Sequence, residues 1–218
     1  LEKTVDNLVD GSFFNSGQSC CGIERIYVDE KIYNSFLELF ISKTYNYKLG
    51  NPLEQENNLG PVVKLSAAEF IINQMNKALD KGAKKMIDEN KFHFPKEHKN
   101  YLVPQVLTNV SHEMDFMTEE TFGPCVGIMK VSDENEAVKL MNDSPYGLTA
   151  SIWTNDVEIA EKIGNQVQTG TFFMNRCDYL DPALSWTGVK ETGKGCSLSE
   201  IAYEKVTAPK SFHLRKGQ

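Results

Sequence analysis

The 218-residue sequence predicts an α/β fold, a mainly parallel sheet flanked by helices. Three observations point there. Short apolar runs of strand length alternate with stretches of helical period. Capping residues, glycines and prolines punctuate the boundaries between them. The spacing from one apolar run to the next leaves room for a crossover helix, as βαβ units require.

Arg25-Ile26-Tyr27-Val28 reads as the first strand. Asp29 is placed to cap a helix with Ile32, Phe36, Leu39 and Phe40 on its apolar face. Ser66, with Glu69 three residues on, has the form of a capping box. It opens a helix carrying Phe70, Ile71, Met75 and Leu79, which stops at Gly82. Lys85-Met86-Ile87 is a short strand, and Asp88–Asn100 a polar loop or hairpin. Tyr101–Val106 reads as a strand, at an edge because Pro104 lacks an N–H.

The second half is more regular. Cys125–Val131 has the pattern of a buried strand. Asp133 and Glu136 form a capping signature before a helix with Ala137, Val138, Leu140 and Met141. Pro145-Tyr146-Gly147 is a turn and Leu148–Trp153 a strand. Asn155 or Asp156 caps a helix through Ile163 that Gly164 ends, and Thr171–Met174 is the next strand. Right-handed crossovers place helices on both faces of such a sheet. Beyond Asn175 the chain is irregular and Gly-rich, and residues 205–218 form a C-terminal extended segment.

Hydrophobic residues at 40% and charged residues at 24% are enough for a real core. Lys plus Arg number 23 and Asp plus Glu 30, giving a net charge of −7. That excess argues against a nucleic-acid surface and against adsorption to anionic membrane. No apolar run approaches the roughly 18 residues of a membrane-spanning helix. The five cysteines form no C-x-x-C pair, which fits free thiols in a reducing, cytoplasmic-type compartment, or an organelle matrix. His93, His98, His112 and His213 are scattered, and no metal site is expected.

The segment Phe13-Phe14-Asn15-Ser16-Gly17-Gln18-Ser19-Cys20-Cys21-Gly22 carries the most chemistry. A glycine-containing turn that ends at a cysteine just before a strand can hold a thiol beside a backbone N–H. A cysteine nucleophile attacking a carbonyl needs both. On spacing alone, a pair of buried structural cysteines is the commoner outcome. About a hundred residues on stands Glu119-Glu120-Thr121-Phe122-Gly123-Pro124, which by itself also reads as an acidic loop before a strand.

Together these segments resemble the aldehyde dehydrogenase superfamily. Phe-Phe-Asn-x-Gly-Gln-x-Cys resembles its nucleophile signature and selects Cys20 over Cys21. Glu-Glu-x-Phe-Gly-Pro resembles its cofactor loop. Further matches are Gly50-Asn51-Pro52, Gly60-Pro61, Gly82-Ala83-Lys84, Pro145–Ala150, Gly170–Asn175 and Trp186-x-Gly188-x-Lys190-x-x-Gly193. They run in family order from about Gly11 to Leu214.

The resemblance implies a Rossmann-like three-layer catalytic domain over residues 1–204, with residues 205–218 as an oligomerisation strand. It implies oxidation of an aldehyde to a carboxylic acid by NAD or NADP, through a thiohemiacetal and a thioester on Cys20. The Cys20 N–H is then half of the oxyanion hole. Glu120 accepts from the nicotinamide ribose, Phe122 packs beside the nicotinamide and Trp186 lines the substrate tunnel. Asn175 and Lys190 support the site or tie loops together. The partner is a small-molecule aldehyde, and the full-length enzyme is a homo-dimer or homo-tetramer.

The sequence also departs from the family pattern. Ala67 and Phe70 stand where a Gln and a Lys often touch the ribose, and Cys196-Ser197 where Arg-Glu is common. The family's general-base glutamate and nucleotide-binding domain lie before the cysteine and are absent from these residues. The chain therefore reads as a fragment that begins within a longer protein and is inactive alone. The alternatives are a non-catalytic oligomerisation or binding module, a degenerate enzyme, and a cysteine hydrolase pairing Cys20 with His112. Asp178-Tyr179-Leu180-Asp181 raises a preference for cationic or polar aldehydes, against plain solvated loop carboxylates.

Overall fold

A computed structural model describes residues 1–94, 97–177 and 179–217. Four strands form the main sheet: β1 (Arg25–Asp29), β2 (Lys84–Lys85), β3 (Gln105–Thr108) and β4 (Cys125–Val131). Their spatial order is β1-β4-β3-β2. β1 and β3 both run parallel to β4, with Arg25 opposite Gly127 and Gln105 opposite Cys125. Only β2 is antiparallel.

Side chains alternate across this sheet as the pleat demands. Ile26, Val28, Val106, Val126 and Ile128 face one core, filled by α1 (Glu2–Phe13) and α2 (Tyr33–Thr44). Phe13 and Phe40 are fully buried there, ring edge to face, with centroids 6.1 Å apart. Leu107 and Cys125 face the other core, against Ala68, Ile71, Met75 and Ala78 of α3 (Leu65–Asp80). The result is helices, sheet, helix: the expected three-layer α/β arrangement.

A smaller unit follows. It contains α4 (Glu134–Asn142), β5 (Tyr146–Gly147), β6 (Thr149–Ile152), α5 (Val157–Gly164), β7 (Thr171–Met174) and β8 (Val189–Lys190). β6 and β7 are parallel, and Val138, Ile163 and Val167 form the core beneath them. β5 and β8 are an antiparallel pair. Residues of β1, which ends the main sheet, and of β6 line one cavity of about 1050 Å³. Helix α6 (Ile201–Val206) takes up Lys205 and Val206, and residues 207–217 are exposed without regular structure.

Several boundaries differ from the sequence expectation, each for a local reason. Asp29 caps no helix. Its carboxylate accepts from the Lys31 N–H at 2.9 Å in a turn, and α2 starts at Tyr33. Ser66 lies inside the first turn of α3, so no capping box forms, and extended Lys64 is the N-cap without a side-chain bond. Gln105–Thr108 is a buried inner strand, since β2 covers its far side, and Pro104 stands just before it. Gly164 is the last residue of α5, where a Cβ would stand 2.9 Å from the Phe172 ring. Close approach, not termination, requires glycine there. The caps at Asp133 and Asp156 form as expected. The polar loop expected at Asp88–Asn100 includes Pro95 and Lys96, which lie outside the described residues.

Candidate active site

The chain leaves α1 at buried Phe13 and turns at once. Asn15, Ser16 and Gly17 follow with φ of +51°, +57° and +70°. Three consecutive left-handed residues are unfavourable unless the surroundings hold them. Here side chains do so. Ser16 Oγ donates to the Gly60 carbonyl at 2.7 Å. Gln18 Oε1 accepts from the Val63 N–H at 2.7 Å, and its Nε2 donates to the Asn15 carbonyl at 3.1 Å. Asn15 Nδ2 donates to the Gln18 carbonyl at 3.0 Å. The Asn, Gly and Gln of the motif are thus the residues that shape the turn. A Cβ on Gly17 would stand 2.0 Å from the Gly123 carbonyl oxygen, so the cysteine turn and the Gly123-Pro124 turn are in backbone contact.

This turn presents Cys20 to solvent at the wall of the 1050 Å³ cavity. Cys21 points inward and is 5% exposed. Among the described residues no acceptor engages the Cys20 N–H. An exposed sulfur beside an uncommitted N–H is the arrangement that attack on a carbonyl uses.

The Glu119–Pro124 segment borders the same cavity. Glu119 and Glu120 are exposed on its wall, Thr121 is buried, and Phe122 is 40% exposed with φ +54°. Tyr146 OH donates to Glu119 at 3.3 Å, whereas the Glu120 carboxylate stands without a hydrogen-bond partner among the described residues. Glu120 thus offers acceptor oxygens to a polyol such as a ribose. Phe122 is not on the cavity wall.

A residue that sequence reasoning passed over sits beneath this segment. The partly buried Glu24 carboxylate accepts from the N–H of Thr121 at 3.0 and 3.2 Å and from that of Phe122 at 2.9 Å. Removal from water pushes its carboxyl up to about 7, against the pull of those two N–H groups, and the Glu120 charge adds to the rise. The sequence carried one cue, an acidic residue directly before a buried strand.

Trp186 is half-buried on the cavity wall and exchanges backbone hydrogen bonds with Ser197, at 2.7 and 3.0 Å. Asn175, φ +54°, also reaches the wall while its amide grips Thr154. Lys190 does not line the cavity. Its ammonium donates to the carbonyls of Asn142 and Ser144 at 2.7 and 2.9 Å, joining the end of α4 to β8. Of the residues singled out by sequence, the structure therefore gathers Cys20, Glu120, Trp186 and Asn175 at one cavity, and leaves Phe122 and Lys190 beside it.

Other sequence suggestions resolve differently. Both ring nitrogens of His112 are engaged, one with Tyr27 OH at 2.8 Å and one with Asp143 at 2.9 Å, so His112 is no partner for Cys20. The Tyr179 ring is already covered by the Arg176 guanidinium, 3.3 Å from its centroid, and Asp181 caps the Ala183 N–H. Asp178 lies outside the described residues. Among the described residues no cluster of three or more His, Cys, Asp or Glu could hold a metal ion, and no helix is long and apolar enough to cross a membrane.

Comparison with known proteins places the chain among relatives. The chain is 32% identical over 208 residues to 3-sulfolactaldehyde dehydrogenase of Priestia aryabhattai, covering 95% of this chain and 42% of that protein. It is 34% identical over 201 residues to the NAD(P)+ succinate semialdehyde dehydrogenase of Escherichia coli, covering 92% and 43%. Among solved structures, betaine aldehyde dehydrogenase of Staphylococcus aureus in complex with NAD+ superposes with a TM-score of 0.87 at 29% identity, over 94% of this chain and 41% of that one. The chain thus spans less than half the length of these relatives. The model of the aldehyde dehydrogenase family matches residues 1–212, and the chain belongs to that family.

Proposed function

We propose that these 218 residues form the cysteine-bearing part of a longer NAD(P)-dependent enzyme that oxidises an aldehyde to a carboxylic acid. The observation that carries this is Cys20, exposed on a turn locked in left-handed conformation, at a cavity that Glu120 and Trp186 also border. The matched relatives are more than twice as long, so turnover is assigned to the whole polypeptide and not to this stretch alone.

In this reading the Cys20 thiolate adds to the aldehyde carbon and forms a C–S bond. The Cys20 N–H faces the oxygen that becomes negative in this thiohemiacetal. Collapse to a thioester requires the carbon to lose a hydride, which NAD(P)+ held beside Glu120 would accept. Glu120 fits that cofactor because its carboxylate can take both hydroxyl protons of a ribose diol as hydrogen-bond donors. Phe122, 40% exposed and two residues beyond Glu120, is the proposed apolar neighbour of the nicotinamide. Trp186 excludes water on the substrate side. Water then cleaves the C–S bond, releasing the acid and restoring the thiol.

Residues 1–204 act as the catalytic unit. Residues 205–218 are assigned to association in a homo-dimer or homo-tetramer, with exposed Phe212 and Leu214 as the apolar side chains for it. Five thiols suit a reducing, cytoplasmic-type compartment. The test is Cys20→Ser in the longer protein. Aldehyde-dependent reduction of NAD+ or NADP+ should vanish while the circular dichroism spectrum stays unchanged. Turnover that survives the substitution sinks the assignment.

A further inference from the structure

We propose that Glu24 is a positioning residue that sets where Glu120 stands at the cavity, by holding the backbone of Thr121 and Phe122. The Glu120 role rests on the proposed function above; the clamp itself rests on geometry. One side chain at the entry to β1 accepts from two consecutive N–H groups, 97 and 98 residues away in the chain, at 2.9 to 3.2 Å. Two successive N–H groups aimed at one point make an anion-binding concavity. The left-handed Phe122 helps to form it, at φ +54°, a conformation that a bulky residue adopts only under constraint.

The adjacent residue works on the same segment from the other side. Arg25 Nη1 donates to the Met117 carbonyl at 2.7 Å. Neighbouring acidic and basic side chains therefore bracket residues 117–122, one accepting and one donating. Glu120 lies between the two anchors, one residue before Thr121. Any change in the grip of Glu24 moves the Glu120 carboxylate relative to Cys20, since both line one cavity.

The grip depends on charge. A carboxylate accepts more strongly than a neutral carboxyl group. The charged or titratable groups facing Glu24 are Glu120 from the loop, Arg25 from its own strand and the Cys125 thiol from β4. Burial and Glu120 disfavour the charge, while Arg25 and the two N–H groups favour it. The balance places the change of state near neutral pH, so the loop is held more tightly above about pH 7 than below it.

The experiment uses the longer protein, with Glu24→Gln and Glu24→Asp beside the wild type. Cofactor KM and kcat are measured from pH 6 to 8.5. Hydrogen exchange of the peptide spanning residues 119–122 is followed by mass spectrometry and corrected for intrinsic rates. The wild-type KM should rise about threefold or more from pH 8 to pH 6, with kcat moving less. Glu24→Gln should show a raised KM that no longer varies with pH, and faster exchange in that peptide at pH 8. A Gln variant with wild-type KM, pH profile and exchange overturns the proposal. Faster exchange with an unchanged KM overturns it too, because the clamp would then not position the cofactor contact. If the wild type oxidises no aldehyde, the proposed function fails, and the positioning role falls with it. The clamp alone is then decided by whether the 119–122 peptide loses protection below pH 7. If Glu24→Gln exchanges faster throughout and so fails to fold, Glu24→Asp and the wild-type pH profiles decide.

Discussion

Asn175 holds Thr154 by both ends of its amide: Oδ1 accepts from the Thr154 N–H at 3.0 Å and Nδ2 donates to the Thr154 carbonyl at 2.7 Å. The pair closes the ends of β6 and β7, and Asn175 meets it from a left-handed conformation that asparagine tolerates better than most residues. Asn175→Ala removes two hydrogen bonds and leaves alanine at positive φ. It should cost about 2 kcal/mol in urea denaturation. Asn175→Asp, which keeps the acceptor and loses the donor, should cost less.

Gly17 is the second position with a sharp expectation. A Cβ there meets the Gly123 carbonyl at 2.0 Å, and φ is +70°. Gly17→Ala must push apart the cysteine turn and the Gly123-Pro124 turn. A loss of roughly 3 kcal/mol is expected, read from the shift in denaturation midpoint. Cys20 labelling by a thiol reagent should change in parallel, because the turn that presents it has moved.

Glu24 makes stability depend on pH. Its folded pKa, about 7, lies above the ordinary value of 4.5. The folded state therefore binds the proton more tightly than the unfolded chain. That contribution is complete below about pH 4.5 and is lost as pH rises through 7. Relative to Glu24→Gln, which carries no charge at any pH, the wild type should lose roughly 2 kcal/mol between pH 5 and pH 8. Parallel denaturation curves for the two proteins across that range would contradict the assignment.

The thiols should separate by access. Iodoacetamide on the native protein should modify exposed Cys20 ahead of Cys21, which is 5% exposed, and Cys125, which is 2% exposed. Burial also pushes the Cys125 thiol well above its usual range, so little of it is thiolate near neutral pH. Peptide mapping after short exposure checks this order. Early modification of Cys21 would show that the turn is not held as described.

Elements whose cues are local were legible in the sequence. The Asp133 carboxylate does take the N–H groups of Asn135 and Glu136, and Asp156 that of Ile159, because each cap lies within three residues of its partners. β4 was legible because it is buried on both faces. β3 was misplaced at an edge because the antiparallel cover from β2 comes from residues more than twenty positions earlier. Ser66 and Asp29 have the right side chains for caps, but the packing of the chain entering α3 and α2 decides where those helices start. Motif residues name Cys20, Glu120 and Trp186, and all three line one cavity. Glu24 was missed because both of its partners arrive from a loop nearly a hundred residues later.

The left-handed turn before Cys20 also bears on the order in which the chain folds. Its holding contacts, Ser16 with Gly60 and Gln18 with Val63, join residues 44 and 45 positions apart. Asn15 and Gln18 bond to each other within the turn, but its anchors to the rest of the fold form only when that distant stretch has returned. Closing such a loop is an entropic cost met before any bond repays it. Packing of α1 on α2 joins nearer residues through apolar contact, Phe13 meeting Phe40, and can assemble first. The turn before Cys20 is expected to close after that packing, with φ-values near zero at Ser16 and Gln18 in a kinetic analysis. A chain that has gained its core but not these two contacts would look folded by circular dichroism while the Cys20 thiol is still unplaced.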